Sequence, residues 1–204
     1  MKNICIIDYG SGNLRSVSKA FEHVAPSAKV LLTSNPADIK NATHIVLPGV
    51  GAFGDCAAGL AAINGMTDEM KVQVFTHQKP FLGICVGMQL LANSGHEHGT
   101  HKGLGWIEGE VRLINSGGLP VPHMGWNKLN IKKQHVLTNN IEQDVYFVHS
   151  YGFIAANPED IVATTEYGLE ITAILARGNI MGVQFHPEKS QQAGLQLLSN
   201  FLTI

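Results

Sequence analysis

Residues 83–89 read GICVGMQ, which sets Cys85 between Gly83 and Gly87 at the end of a strand-like apolar run, PFLGI at 80–84. A strand, a sharp turn and a helix make a nucleophile elbow, and glycines flanking the nucleophile let backbone approach backbone where a larger side chain would clash. Further along, residues 185–188 read FHPE. The two stretches together have the composition of a Cys-His-Glu hydrolytic site.

The residue types dictate the chemistry. A neutral thiol attacks carbonyls poorly, so Cys85 has to be held as a thiolate, and an imidazolium nearby with a helix N-terminus beneath the sulfur favours that charge. His186 is the candidate for the imidazolium. Pro187 stiffens the turn after it, and Glu188, two residues on along an extended segment, points the same way and can orient the ring.

Composition narrows the remaining possibilities. The chain has 204 residues, a hydrophobic fraction of 45%, a charged fraction of 15% and a formal net charge of −2. That length suits one domain, 1–204, with a substantial core. The charge balance offers no basic field for nucleic acid and no polybasic membrane signal. The apolar runs are strand-length, and Met1-Lys2-Asn3 leads into a short strand instead of a signal-peptide core, so the expected location is the cytoplasm. Cys5, Cys56 and Cys85 form an odd, sparse set without metal-ligand spacing, and Cys5 and Cys56 read as core residues. His96, His98 and His101 in HEHGTH (96–101) lack a helical or strand spacing that would fix ligands. They read as a solvated loop, and no metal is expected.

Strand-like and helical patterns alternate in the first half: ICIID (4–8), a helix from about Asn13 to His23, KVLL (29–32), a short helix after Pro36, HIVLP (44–48), helices between Asp55 and His77, and PFLGI (80–84). This alternation predicts right-handed crossovers and a parallel sheet covered on both faces. Ligands bind beyond the carboxyl ends of such strands, where Tyr9 to Asn13, Gly49-Val50-Gly51 and Cys85 would converge. After about Gly103 the pattern becomes strands and turns: 109–114, 126–131, 144–151, 161–167, 171–178 and 179–185, an antiparallel or mixed extension of the sheet. A last helix, from about Ser190 to Leu202, carries Leu195, Leu198 and Leu202 at helical spacing.

With these residues in place, the chain resembles the class I, triad-type glutamine amidotransferases nearly end to end. The general features are PGVGAFGD (48–55), GICVGMQ (83–89) and FHPEKS (185–190). DYGSGNLRSV (8–17), PHMGWN (122–127) and VHSYGF (148–153) resemble the glutaminase subunits serving imidazole glycerol phosphate synthesis in histidine biosynthesis. The resemblance implies a three-layer, flavodoxin-like α/β fold with a mostly parallel central sheet and added antiparallel strands. It implies Cys85 as nucleophile, His186 as general base and acid, and Glu188 as the orienting carboxylate. The backbone N–H groups of Val50 and Val86 would form the oxyanion hole; Val86 stands where the family usually has leucine, and a backbone role survives that change. Gly49, Gly51, Gln89, Ser150 and Tyr151 would hold glutamine, and no cofactor is implied. The implied partner is a separate cyclase with a (βα)₈ barrel, joined in a heterodimer, where ammonia meets PRFAR to give imidazole glycerol phosphate and AICAR. Asn13, Met124, Trp126 and Lys189 would lie at that interface.

Other readings are a glutaminase serving pyridoxal phosphate or anthranilate synthesis, a peptidase-type hydrolase with a Cys elbow, and an inactive binding module. PHMGWN and DYGSGN argue against another synthase, the HPE segment and PGVG loop fit glutamine better than a peptide, and intact Cys85, His186 and Glu188 oppose the inactive module.

Overall fold

The computed structural model describes residues 1–204. Its first half repeats strand and helix: β1 (Asn3–Ile7), α1 (Leu14–Val24), β2 (Lys29–Thr33), α2 (Pro36–Ile39), β3 (His44–Gly49), α3 (Phe53–Ala62), α4 (Met66–Lys71) running into a π turn (Val72–Thr76), β4 (Phe81–Cys85) and α5 (Val86–Gln89). The second half is mostly extended: β5 (Ser94–Gly95), β6 (His101–Lys102), β7 (Gly109–Leu113), β8 (His123–Lys128), β9 (Asn130–Ile131), β10 (Asp144–His149), β11 (Tyr151–Ala155), β12 (Ile161–Tyr167), β13 (Leu169–Arg177) and β14 (Ile180–Val183). Helix α6 (Gln191–Phe201) follows. No helix is long and apolar enough to cross a membrane.

The main sheet has eight strands in the order β2-β1-β3-β4-β14-β13-β12-β9. From β2 to β14 the neighbours pair in parallel, and β13, β12 and β9 continue the sheet antiparallel. Every residue of β3 and β4 is buried, so both faces of the sheet are covered there, as an apolar parallel strand requires. Helices α1 and α6 pack together, with Phe21 and Phe201 edge to face at 6.3 Å. One continuous apolar cluster runs from Ile4 and Phe21 to Phe185 and Leu202, joining the two halves.

Two extended runs break where the sequence pattern shows none. The expected strand 126–131 divides at Leu129 into β8 and β9, which belong to different sheets, because Leu129 turns into the core. The expected strand 144–151 divides at Ser150: β10 pairs with β8, whereas β11 joins a four-stranded sheet in the order β11-β7-β5-β6. Two-residue strands β5 and β6 bracket the histidine-rich segment, so its ends are paired and only its tip is a free loop. In α6 the buried face is Ala193, Leu197, Leu198 and Phe201; Leu195 is only partly buried.

Candidate active site

Strands β1, β3, β4 and β14 are neighbours, and their carboxyl ends finish at one edge of the sheet. Gly49 of β3 lies opposite Cys85 of β4, and Val183 of β14 lies opposite Ile84. The register therefore delivers the Val50–Gly51 loop, Cys85 and the Gln184–Glu188 segment to one place, with the Tyr9–Asn13 loop after β1 beside them.

Cys85 has φ +55° and ψ −113°, a conformation that side-chain-bearing residues rarely hold and that turns the thiol out of the strand. The flanking glycines make this turn possible. A Cβ on Gly87 would stand 1.7 Å from the Leu47 carbonyl oxygen, and one on Gly83 would stand 2.5 Å from that of Gly87. Helix α5 spans only 4 residues. It therefore offers the sulfur the free N–H groups of its first turn, not an extended helix dipole.

His186 Nδ1–H donates to Glu188 Oε1 at 2.9 Å, and that side-chain pair is almost fully enclosed. Burial pulls the His186 pKa down, yet hydrogen bonds to Cys85 and Glu188 and their charges outweigh burial and push it up to about 10. Backbone contacts hold the segment. His186 N–H donates to the Tyr146 carbonyl at 3.0 Å, and Ser190 Oγ donates to the His186 carbonyl at 2.7 Å while accepting from Tyr146 N–H at 2.9 Å. Asn13 Nδ2 donates to Glu188 Oε1 at 3.3 Å. The Asn13 side chain makes no capping bond to α1.

A cavity of about 430 Å³ opens over this constellation, lined by Cys85, His186, Val50, Gly51, Val86, Gln89, Ser150 and Tyr151, all anticipated there. Gly49 is a correction: it is buried beneath the cavity, where an added Cβ would come within 2.5 Å of the Tyr9 hydroxyl oxygen, and it does not line the space. The Val50 N–H donates to Ser11 Oγ at 3.2 Å, and Ser11 Oγ donates to the Val50 carbonyl. Gln89 Nε2 donates to the Tyr151 carbonyl and to Gln184 Oε1, each at 3.0 Å, so its amide oxygen is the atom left for a substrate donor. Of the residues expected at a partner surface, Met124 and Trp126 share the outer face of β8 and are 61% and 50% exposed. Lys189 is exposed and also lines the cavity, whereas Asn13 sits against the Glu188 carboxylate.

The family model for class-I glutamine amidotransferases matches residues 5–204. This chain belongs to the class-I glutamine amidotransferase family. Among curated amidotransferase relatives, the imidazole glycerol phosphate synthase subunit HisH of Bradyrhizobium diazoefficiens is 49% identical over 211 residues, covering 98% of each chain. The protein of the same name from Rhodospirillum rubrum is 49% identical over 208 residues, covering 98% of this chain and 97% of its own. Among solved structures, PurLQS from Thermotoga maritima aligns with a TM-score of 0.76 at 19% identity over 99% of this chain and 98% of that one. A glutamine amidotransferase from the same organism aligns with a TM-score of 0.63 at 17% identity, over 92% of this chain and 76% of that one. These two structures establish the three-layer amidotransferase fold.

Several residues of this amidotransferase site escape sequence reasoning. Glu97 lines the cavity and caps α3, its Oε2 accepting the Phe53 N–H at 2.8 Å; it lies inside the segment read as a solvated loop. Gln184, fully buried, donates to Cys85 Sγ at 3.8 Å, and only its place one residue before FHPE hinted at it. Ser11 lies in the Tyr9–Asn13 loop expected at this edge, but its bonds to the Val50 peptide carry no signal in the sequence. Cys5 and Cys56 are buried as anticipated, though Cys56 Sγ also reaches Ser11 Oγ at 3.3 Å. The histidines at 96–101 diverge: His96 Nε2 lies 3.2 Å from Glu110 Oε2, and the His101 ring packs on Gly54.

Proposed function

We propose that this chain is the glutaminase subunit of an imidazole glycerol phosphate synthase, acting in the cytoplasm as one domain in a heterodimer with a (βα)₈-barrel cyclase. The observation that carries the reading is the convergence of Cys85 and His186 on one cavity, with Glu188 bonded to His186 behind it, in a chain 49% identical to HisH subunits over 98% of its length.

With its proton already on His186, Cys85 adds as the thiolate to the carboxamide carbon of glutamine. The oxyanion that forms is met by the Val86 N–H and, once Ser11 releases it, the Val50 N–H. His186 returns its proton to the departing ammonia, leaving a glutamyl thioester. Water, deprotonated by the same ring, then releases glutamate and restores the thiol. Glu188 stays ionised throughout and orients the imidazole. Gln89, Ser150 and Tyr151 hold the amino-acid end, with the Glu97 carboxylate facing the α-ammonium group.

Ammonia passes to the cyclase, where it converts PRFAR to imidazole glycerol phosphate and AICAR; that lyase step belongs to the partner. Exposed Met124 and Trp126 form the apolar part of the docking face, with Lys189 at the cavity mouth and Asn13 next to it behind Glu188. The test is glutamate release by the chain alone, with the cyclase, and with the cyclase and its ligand. Release should be slow alone and rise about a hundredfold or more in the liganded complex, the scale of one oxyanion donor. No glutamate from the liganded complex would reject the reading.

A further inference from the structure

We propose that His123 and His149 are positioning residues for glutamine, forming a one-way hydrogen-bond chain that fixes the Tyr151 carbonyl and, through it, Gln89 at the cavity floor. The substrate's identity rests on the function proposed above; the polarity of the chain does not.

The two rings face each other across the β8–β10 ladder, His123 opposite His149, and both are buried. His123 Nδ1 and His149 Nε2 are 3.0 Å apart. Both ends of the chain dictate the same direction. At one end, the Tyr151 carbonyl can only accept, so His149 Nδ1, 2.9 Å away, carries a hydrogen. Its Nε2 is then an acceptor and takes the hydrogen on His123 Nδ1. At the other end, the Asn127 amide nitrogen can only donate; it gives one hydrogen to the Glu166 carbonyl at 2.8 Å and the other to His123 Nε2 at 3.2 Å. A second proton on either ring would set N–H against N–H. Burial, with the His186 charge acting in the same direction on His149, holds both histidines well below the usual range, at about 4.

The His123 ring has little freedom to turn. It is stacked between Phe147, at 4.7 Å and 23°, and Tyr167, at 4.1 Å and 25°. The chain also crosses a break between two sheets. Strand β10 ends at His149 and β11 starts at Tyr151 in another sheet, so the Ser150 break at the cavity rim is bridged by the bond from His149 to the Tyr151 carbonyl, alongside the Ile114 N–H bond to the Ser150 carbonyl. That carbonyl also takes the Gln89 Nε2 hydrogen, and Gln89 in turn holds Gln184 beneath the Cys85 sulfur.

Two measurements test this. Two-bond ¹H–¹⁵N spectra of the histidine rings in the intact chain should show both His123 and His149 neutral at pH 7 with the hydrogen on Nδ1. An Nε2–H form or a doubly protonated ring at either position would overturn the proposal. In the liganded complex, His149→Asn keeps a donor where Nδ1 stood, whereas His149→Gln moves the amide to the Nε2 position and loses the bond to Tyr151. His149→Gln should raise the glutamine KM roughly tenfold, the worth of one buried hydrogen bond, with kcat and ammonium-driven synthesis little changed; His149→Asn should recover most of that loss. Equal KM values for the two variants, or a loss confined to kcat, would refute it. A wild-type complex that releases no glutamate would instead count against the proposed function, with the ring spectra still deciding the chain's polarity.

Discussion

Ser11 makes two of the bonds that hold the Val50 peptide and Cys56 Sγ donates a weaker one to its carbonyl at 3.4 Å, so Ser11→Ala is an informative perturbation. Ser11 Oγ accepts the Val50 N–H at 3.2 Å and donates to its carbonyl, which turns one proposed oxyanion donor onto a hydroxyl. Gly51 follows with φ +100°, where residues other than glycine are strained, so the loop can take this shape. A hydrogen bond contributes a net of about 0.5–1.5 kcal/mol. Val50 is 42% exposed, so water replaces part of what the substitution removes, and about 1 kcal/mol for the two bonds is the right scale. That moves the resting equilibrium about fivefold toward a free N–H, whereas a fully aligned donor contributes about 3 kcal/mol to turnover. Ser11→Ala should therefore raise glutamate release by the isolated chain about fivefold and leave the liganded complex, where Ser11 has already let go, unchanged. A coupled glutamate assay reads both rates. An unchanged basal rate, or the same gain in both states, would refute the latch.

Gly87→Ala should cost about 3 kcal/mol or more in urea unfolding, because its Cβ would meet the Leu47 carbonyl, which the sheet holds in place; a loss under about 1 kcal/mol would contradict the elbow packing. His186→Ala should lower glutaminase kcat at least a hundredfold and Glu188→Gln less, with the double variant little worse than His186→Ala alone, whereas fully additive losses would mean the pair does not act as a unit. Burial holds His44, His123 and His149 at about 4 each, so between the ordinary value near 6.5 and that figure the unfolded chain binds protons that the folded chain refuses. Stability should fall on acidification from pH 7 to 5, by about 2 kcal/mol per ring before coupling between His123 and His149, and His149→Gln should flatten the drop. His186, raised to about 10, has the opposite sign: its contribution is complete below about 6.5 and lost as pH rises through 10. A urea midpoint that is constant from pH 7 to 5 would contradict the first of these assignments.

The parallel half of the fold was legible because β1, β3 and β4 are continuous apolar runs, each followed by a glycine-bearing turn and then a helix, a pattern with few alternatives. The elbow was legible for the same reason: Gly83 and Gly87 have a steric purpose that a seven-residue window exposes. The breaks at Leu129 and Ser150 were not legible, because each depends on which sheet receives the next strand, a tertiary choice that leaves residue types unchanged. Glu97 was hidden in a polar, histidine-rich stretch, and only the pairing of β5 with β6 brings it over the cavity. Gln184, one residue past β14, escaped because a single polar residue carries no periodic signal, and His123 and His149, although they stand in PHMGWN and VHSYGF, showed nothing of their pairing because it depends on the β8–β10 register. Gly49 was placed by its motif with the substrate, yet the register seats it below the surface, against Tyr9.

The most direct test of the account is Cys85→Ala in the complex with the cyclase, assayed with two nitrogen sources. Glutamine-dependent formation of imidazole glycerol phosphate should disappear, while synthesis from added ammonium continues at the wild-type rate, because the glutaminase makes the ammonia and the cyclase uses it. Retained glutamine-dependent synthesis, or loss of both activities in a folded and assembled variant, would contradict it.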